Sequence, residues 1–326
     1  MKPSVNNTDK SDKRGNNIIH PMQTTSPQLI RSVRTSRRQR RNIIAFIAFI
    51  APNFILLSIF TFWPIIYSLY LSFFKWNMIA PVKKFIGMKN YSSLMQDPIF
   101  WKVVKNTFYL AAGTVFIKLA IALMLALLLN RRMRGRNLYR AIIFSPTFTT
   151  SVAVAMVWGW ILDPTYGLFR VLLNSIGLRS PNWLTDIHWS MPAVIIVIIW
   201  RSLGYDMVFF LAGLQSIPKD LYDAAKVDGA SKLQLFRYVT FPLLSPTTFF
   251  LTIVSVVGAL KAFDIIAIMT DGGPMNSTNV FVLYLYQNAF EWFKTGYASA
   301  IALILFVLIM GITLIQTRLS KRWVHY

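Results

Sequence analysis

The chain has no cysteine among its 326 residues, so disulfides, thiol nucleophiles and thiolate-ligated metal sites are excluded. Its single glutamate is Glu291, and its three histidines, His20, His188 and His325, lie far apart in tail and loop, without metal-ligand spacing. No serine, cysteine or histidine stands in a pattern that would activate it, so an integral-membrane enzyme is the weakest functional reading and no catalytic or metal residue is assigned. No G-x-x-x-x-G-K-[ST] phosphate loop occurs; if ATP drives this protein's work, the ATPase is another polypeptide. Acidic residues are scarce throughout: 12 Asp and Glu stand against 34 Lys and Arg, a net charge of +22. Such a balance could point to nucleic acid. The positions argue against that partner, because most of the basic residues flank apolar runs in short connecting segments.

Long hydrophobic runs are what the sequence has in abundance. It is 55% hydrophobic, and several charge-poor stretches reach the roughly 20 residues needed to cross a bilayer. Six spans are predicted, making an all-α integral membrane protein. They lie within Ile43–Phe74, with a kink at Pro52 or Pro64, and at about 106–129, 141–162, 191–214, 246–270 and 298–316. Residues 1–41 lack apolar periodicity and read as a disordered basic tail, which sets topology or touches anionic lipid; residues 42–326 form the membrane domain. Segments predicted to be inside carry more than twice the Lys and Arg of those outside, which places both termini in the cytoplasm. Residues 75–105 are the exception, an outside segment with six lysines and one acidic residue, Asp97.

Between spans 4 and 5 lies a polar stretch, residues 216–246, that reads as a helical hairpin. Pro218 suits a first helical turn. Leu221, Ala225 and Asp228 share one face. Gly229 suits the left-handed position after a C-cap. Ser231 and Gln234 form a capping-box pattern that starts a second helix, predicted to end before Pro242.

Ionisable groups inside spans are costly and therefore candidates for function. Lys118, Arg201, Asp206, Lys261 and Asp264 are of this kind. Lys261 and Asp264 stand at i, i+3 and could pair on one helix face, as a structural pair or as part of a pathway. Arg201 and Asp206 point about 140° apart at 100° per residue and need different partners, and Lys118 suits an acidic residue on another span. A sugar pathway would use planar polar groups and aromatic faces, which Trp158, Trp160 and Trp200, with Tyr286, Gln287 and Asn288, could supply. The alternatives are an interfacial aromatic belt for the tryptophans and a helix cap for residues 286–288. Gly113, Gly159, Gly204 and Gly258 could let helices approach closely.

The hairpin residues Asp223-Ala224-Ala225, Asp228-Gly229-Ala230, Phe236 and Pro242 resemble the EAA loop of ABC-importer permeases, with Asp223 where that family usually has Glu. Similarity continues through Tyr70-Leu71-Ser72-Phe73, Trp76-Asn77, Gly87, Asn90-Tyr91, Asp97-Pro98, Asn106-Thr107, Leu214-Gln215, Ile217-Pro218, Phe263-Asp264, Gly272-Gly273-Pro274, Leu283-Tyr284 and Gly296-Tyr297-Ala298. These resemble the carbohydrate branch, of maltose and glycerol-phosphate type. The resemblance implies a six-helix importer transmembrane domain in the bacterial inner membrane, moving a sugar or oligosaccharide by alternating access. It implies that the loop couples to a dimer of ATP-binding subunits. It also implies a second permease subunit, an extracytoplasmic substrate-binding protein, and ATP and magnesium on the partner ATPase, with no cofactor on this chain. The runner-up is an ion-coupled secondary transporter that uses the intramembrane charges as a relay; such proteins often carry inverted repeats, and none is visible here.

Overall fold

The computed structural model describes residues 37–131 and 133–321, with side chains from Asn42 onward. It comprises two units, one ending at Leu57 and one beginning at Ser58. The described part of the first unit is helix α1 (Arg37–Leu57). Residues 1–36 of the expected tail lie outside the described residues, whereas Arg37–Arg41 are already helical.

The second unit opens with a π-helical turn, Ser58–Phe62, and helix α2 (Trp63–Leu71). A two-residue ladder follows, β1 (Phe74–Lys75) with β2 (Lys84–Phe85), then α3 (Lys89–Gln96) and α4 (Pro98–Leu129). Next come α5 (Arg136–Phe144), α6 (Ser151–Ile161), α7 (Leu168–Ser175) and α8 (Ser190–Ser216). The hairpin holds α9 (Lys219–Val227), α10 (Lys232–Leu235) and α11 (Phe241–Leu243). The chain then forms α12 (Ser245–Leu260), α13 (Asp264–Met269), α14 (Phe281–Tyr286) and α15 (Thr295–Ser320).

Four stretches are helical, long and apolar enough to cross a membrane: Asn42–Leu71, Pro98–Leu129, Ser190–Ser216 and Thr295–Ser320. Two bent helix pairs bring the number to six if each counts as one span. The four continuous stretches match predicted spans 1, 2, 4 and 6, whereas spans 3 and 5 count only as bent pairs, the latter joining Lys232–Leu243 to Ser245–Leu260; the first, third and fifth differ in form from the prediction. In the first, the irregularity is the π turn at Ser58–Phe62, just ahead of Pro64 in the first turn of α2. The third is bent by 101° between Arg136–Phe148 and Ser151–Ile161. Pro146 lies in the tight 3-10 turn there, and the Thr150 hydroxyl caps the new helix by accepting from Ala153 N–H at 3.3 Å. The fifth is broken at Lys261–Phe263, between α12 and α13.

Helix α4 starts eight residues earlier than the predicted span, because Asp97 caps it and Pro98 occupies its first turn. At 1.5 Å per residue its 32 residues reach about 48 Å, well beyond a ~30 Å hydrocarbon core. It packs against α8 more extensively than any other two elements pack. At the hairpin end of this pair, Ala122, Ala126, Met207, Phe210, Leu214, Leu244 and Leu251 form one buried cluster. Near the α4 N-terminus a second cluster joins Phe100, Val103, Leu260, Phe281, Tyr284 and Ile301. Of the four glycines singled out in the sequence, Gly113 and Gly204 do abut neighbouring helices, while Gly159 and Gly258 face open space. Gly204 is the tightest: a Cβ there would overlap the Ile143 carbonyl oxygen and Phe144 Cα, so glycine is what lets α8 lie against the end of α5.

Candidate functional site

The hairpin at residues 216–246 is built as its sequence predicts in its first half. Helix α9 begins directly after Pro218 and carries an Asp223–Lys226 pair at 2.8 Å on its exposed face. That ammonium holds the Asp223 carboxyl below its ordinary range. Gly229 takes φ +80°, its N–H donates to the Lys226 carbonyl, and Ala230 N–H donates to the Ala225 carbonyl. This is the Schellman arrangement, which needs a residue without a Cβ at the left-handed position. The capping box then forms: Ser231 N–H donates to Gln234 Oε1 at 2.7 Å, and Gln234 N–H donates to Ser231 Oγ.

The second half departs from the prediction. After α10 the chain widens into a π turn, Phe236–Thr240, and stays helical through Leu243, so Pro242 does not end it. Pro242 is tolerated here because the π turn directly before it already interrupts the regular i→i−4 bonding that its missing N–H would break. The 62° bend falls between Leu243 and Ser245. Two residues that sequence reasoning passed over hold the hairpin closed. The Tyr222 hydroxyl and Thr240 Oγ1 are 3.0 Å apart, and Tyr222 packs against the cluster containing Leu214 and Leu244. The outer face remains uncovered by this chain: Leu221, Val227, Leu233 and Tyr238 are all exposed, Val227 at 87%.

The intramembrane charges separate into three situations. Lys118 Nζ lies 2.8 Å from Asp206 Oδ2, with both residues buried. This pair joins α4 to α8 at the most extensive helix contact, as the expected inter-span pairing of Lys118 requires. Arg201 serves the break in span 3: its guanidinium donates to the Thr149 carbonyl at 3.4 Å, and its own carbonyl accepts from Thr147 Oγ1. Lys261 and Asp264 do not pair, because the helix they would share is broken between them; both are exposed at the break. Among the described residues, no cluster of His, Cys, Asp or Glu could hold a metal ion.

The aromatic candidates lie partly together. Trp158 and Trp200 meet edge to face at 5.4 Å, while Trp160 stands apart and is exposed. Gln287 and Asn288 are buried, and their side chains are spent inside the fold. Gln287 Oε1 accepts from Asn279 Nδ2 at 2.9 Å, and Asn288 Nδ2 donates to the Tyr284 carbonyl. Both lie in the π turn Gln287–Glu291, and Asn288 also lines the open cavity at this end of the protein.

At that same end, most of the short motifs quoted from the sequence turn out to be bonded to one another. Asn90 Nδ2 donates to the Ser72 and Phe74 carbonyls. Asn106 Nδ2 donates to the Asn276 and Asn279 carbonyls, and Thr107 Oγ1 accepts from Phe281 N–H. Asp97 joins three elements: its carboxylate accepts from Ile99 N–H at 2.8 Å, from the Tyr284 hydroxyl at 2.6 Å and from the Tyr297 hydroxyl at 3.0 Å. Burial works to raise its pKa, but these bonds, led by that from Tyr284, outweigh burial and hold it below the ordinary carboxylate value. Burial and the Asp97 bond together push the Tyr284 phenol well up.

Comparison with known proteins matches this architecture. The family described as "Binding-protein-dependent transport system inner membrane component" matches residues 118–325. A probable ABC transporter permease of Pyrococcus horikoshii is 36% identical over 85% of this chain and 96% of its own length. The sulfoquinovosyl glycerol transport system permease SmoG of Agrobacterium fabrum is 34% identical over 83% of this chain and 89% of its own. Among solved structures, a bacterial ABC transporter for the acidic polysaccharide alginate, in complex with its pentasaccharide-bound periplasmic protein, aligns with a TM-score of 0.78 at 26% identity, covering 88% of this chain and 98% of that one. With the six spans and the exposed hairpin between α8 and α12, these matches mean that the chain belongs to the inner-membrane components of binding-protein-dependent transport systems, as a multi-pass permease subunit of an ABC importer.

Proposed function

We propose that this permease imports a carbohydrate or carbohydrate-like polyol, and that its 216–246 hairpin is the element through which a separate ATPase drives it. The observation that carries the reading is the hairpin's construction: Gly229 and the Ser231–Gln234 box fix its shape, while Leu221, Val227, Leu233 and Tyr238 are presented away from the bundle. Exposed apolar side chains on a rigid, polar-rimmed element suit a groove on a partner. Asp223, Ala224, Ala225, Asp228, Gly229, Ala230, Phe236 and Pro242 then form the docking element. ATP and magnesium belong to the partner, and this chain carries no cofactor. Closure of an ATPase dimer would push on the hairpin. Tyr222, Thr240 and the Leu214–Leu244 cluster would pass that push to α8 and α12, switching the spans between inward- and outward-facing forms. The excess of Lys and Arg in the segments predicted to be inside assigns both termini to the cytoplasm. A second permease subunit completes the pathway, and an extracytoplasmic binding protein delivers substrate to the opposite end.

Trp200, which meets Trp158 edge to face, and Lys261 and Asp264 at the break in span 5 are all exposed and are our choice for the pathway. Lys118 belongs to the scaffold. That assignment also weighs against the ion-coupled alternative, whose relay would run through the buried Lys118–Asp206 pair.

The carbohydrate reading is supported by relatives that carry sulfoquinovosyl glycerol, sn-glycerol-3-phosphate and alginate. The test is co-purification followed by a coupling assay. The chain should come out of mild detergent with an ATPase and a second permease. Gly229→Val should then leave the complex assembled or weakened, but abolish substrate-stimulated ATP hydrolysis. Normal stimulation in that variant would refute the coupling role.

A further inference from the structure

The lysine-rich segment after α2 has no role in coupling, yet the fold gathers part of it around an open cavity of about 1340 Å³. Lys75, Lys84, Lys89 and Lys294 line it, with Trp76 and Trp292 among its walls. Three observations set this cavity apart from an ordinary solvated basic surface.

First, Lys75 and Lys84 are direct partners in the two-residue β1–β2 ladder. Side chains opposite each other on an antiparallel pair share a face with Cβ atoms about 5 Å apart, and like charges there are destabilising. This two-stranded sheet is thus built on a repulsive pair that a bound anion would relieve.

Second, among the described residues no carboxylate lies within ion-pair distance of any of the four lysines. The one carboxylate lining the cavity is Asp97, whose oxygens are already taken by Tyr284, Tyr297 and Ile99.

Third, two lysines of the same segment outside the cavity have partners within the fold, whereas among the described residues Lys294 is the one cavity lysine that has one, its Nζ lying over the Trp292 ring at 5.6 Å. Lys83 Nζ donates to the Tyr67 hydroxyl at 2.7 Å and lies over the Trp76 ring, and Lys102 Nζ donates to the Met275 carbonyl. Lys75, Lys84 and Lys89 thus border a cavity that, at about 1340 Å³, is larger than the roughly 300–1,000 Å³ typical of small-molecule sites and has room for a ligand.

We propose that this cavity is an anion-binding site for a carboxylate, phosphate or sulfonate carried on a hydroxyl-rich group, with the lysines supplying the charge and the tryptophans a flat wall. Two molecules bring that chemistry to this end of the protein: an acidic saccharide and the headgroup of an anionic lipid. The saccharide case rests on the carbohydrate-import reading above; the site itself does not.

The test uses the purified assembled transporter in nanodiscs, with two arms. In the first, discs of neutral phosphatidylcholine are titrated with glucuronate, glucose 6-phosphate and glucose. In the second, discs contain phosphatidylglycerol, and the lipid retained per complex is counted by native mass spectrometry. K75Q/K84Q is compared with K75R/K84R, which keeps the charge. Removing the repulsive pair leaves the ladder no less stable, so a change in binding is not a folding defect. In one arm or the other, the Gln variant should lose about tenfold in affinity for the anion, since each exposed charge contributes modestly, while the Arg variant should retain it and added salt should weaken it. The arm that responds identifies the source. Absence of anion binding in both arms, or equal binding by wild type and K75Q/K84Q, overturns the site. Uptake of neutral sugars by the intact transporter is measured separately, so that failure of the anion site is distinct from failure of the import reading.

Discussion

The Lys118–Asp206 pair allows a quantitative test of how the two longest-packed spans are held. Both residues are buried, Asp206 at 1% exposure, and their charged atoms are 2.8 Å apart between α4 and α8. Lys118→Met removes the ammonium and leaves a carboxylate enclosed by apolar side chains. Stranding one member of a buried pair costs about 3–5 kcal/mol. Asp206→Leu strands the ammonium instead and should cost a similar amount. The double variant Lys118→Met/Asp206→Leu strands nothing. Because desolvating two charges offsets most of their attraction, replacing both by apolar groups is about neutral, within roughly 1–2 kcal/mol. The coupling energy across the cycle should therefore be several kcal/mol, far above the ~0.5 kcal/mol expected of independent sites.

The assay is thermal unfolding of the purified complex in one detergent at one heating rate, followed by tryptophan fluorescence; a constant rate matters because such unfolding is commonly irreversible. At about 2–4 °C per kcal/mol, each single variant should lose roughly 6–20 °C and the double variant only a few degrees. Equal or additive losses would refute the reasoning, since they would mean that the two residues act through separate contacts. Near wild-type transport by the double variant would also place the pair in the scaffold and outside any proton or ion relay.

Four further outcomes are expected. Asp97→Ala removes the α4 cap and leaves the Tyr284 and Tyr297 hydroxyls without their acceptor, so it should cost about 1–2 kcal/mol by the same thermal assay. Because the Asp97 pKa is lowered in the folded protein, its contribution is full above the unfolded carboxylate pKa and is lost as pH falls through the lower folded value. Wild type and Asp97→Asn should therefore differ by a constant amount between pH 5 and 8, about that of a charged hydrogen-bond acceptor, and converge only below about pH 4 in an acid titration of melting temperature. Gly204→Ala drives a Cβ into the Ile143 carbonyl and Phe144 Cα, and should lower folded yield on size-exclusion chromatography, overpacking costing at least about 1–3 kcal/mol. Gly229→Ala meets no atom within 4 Å, so its effect should appear in ATPase coupling and in a modest loss of about 1–2 kcal/mol from left-handed strain, without loss of folded yield.

What the sequence discloses here follows from the range of the interactions involved. Apolar run length is set locally, so all six spans are legible, and so are the Gly229 cap and the Ser231–Gln234 box, whose partners lie within five residues. The breaks in spans 3 and 5 are not legible from hydropathy, because a bent span is as apolar as a straight one. Pro146 and Thr150 marked the first break in hindsight; within Lys261–Phe263, between α12 and α13, no proline or glycine signals the second. The error at Lys261 and Asp264 follows directly, since an i, i+3 pair presumes a continuous helix.

Asp97 shows the opposite case. Asp before Pro is a helix-start signal that could have moved the α4 boundary, yet nothing local reveals that Tyr284 and Tyr297, 187 and 200 residues away, close on the same carboxylate. The same holds for Asn106 and the loop around Asn276, 170 residues on. Short motifs that look unrelated along the chain are thus two sides of single hydrogen bonds. That is a physical reason for scattered motifs to matter together: Asp97 accepts from Tyr284 and Tyr297, and Asn90 and Tyr91 bond to Ser72, so these residues answer for one another's polar groups across the apolar spans.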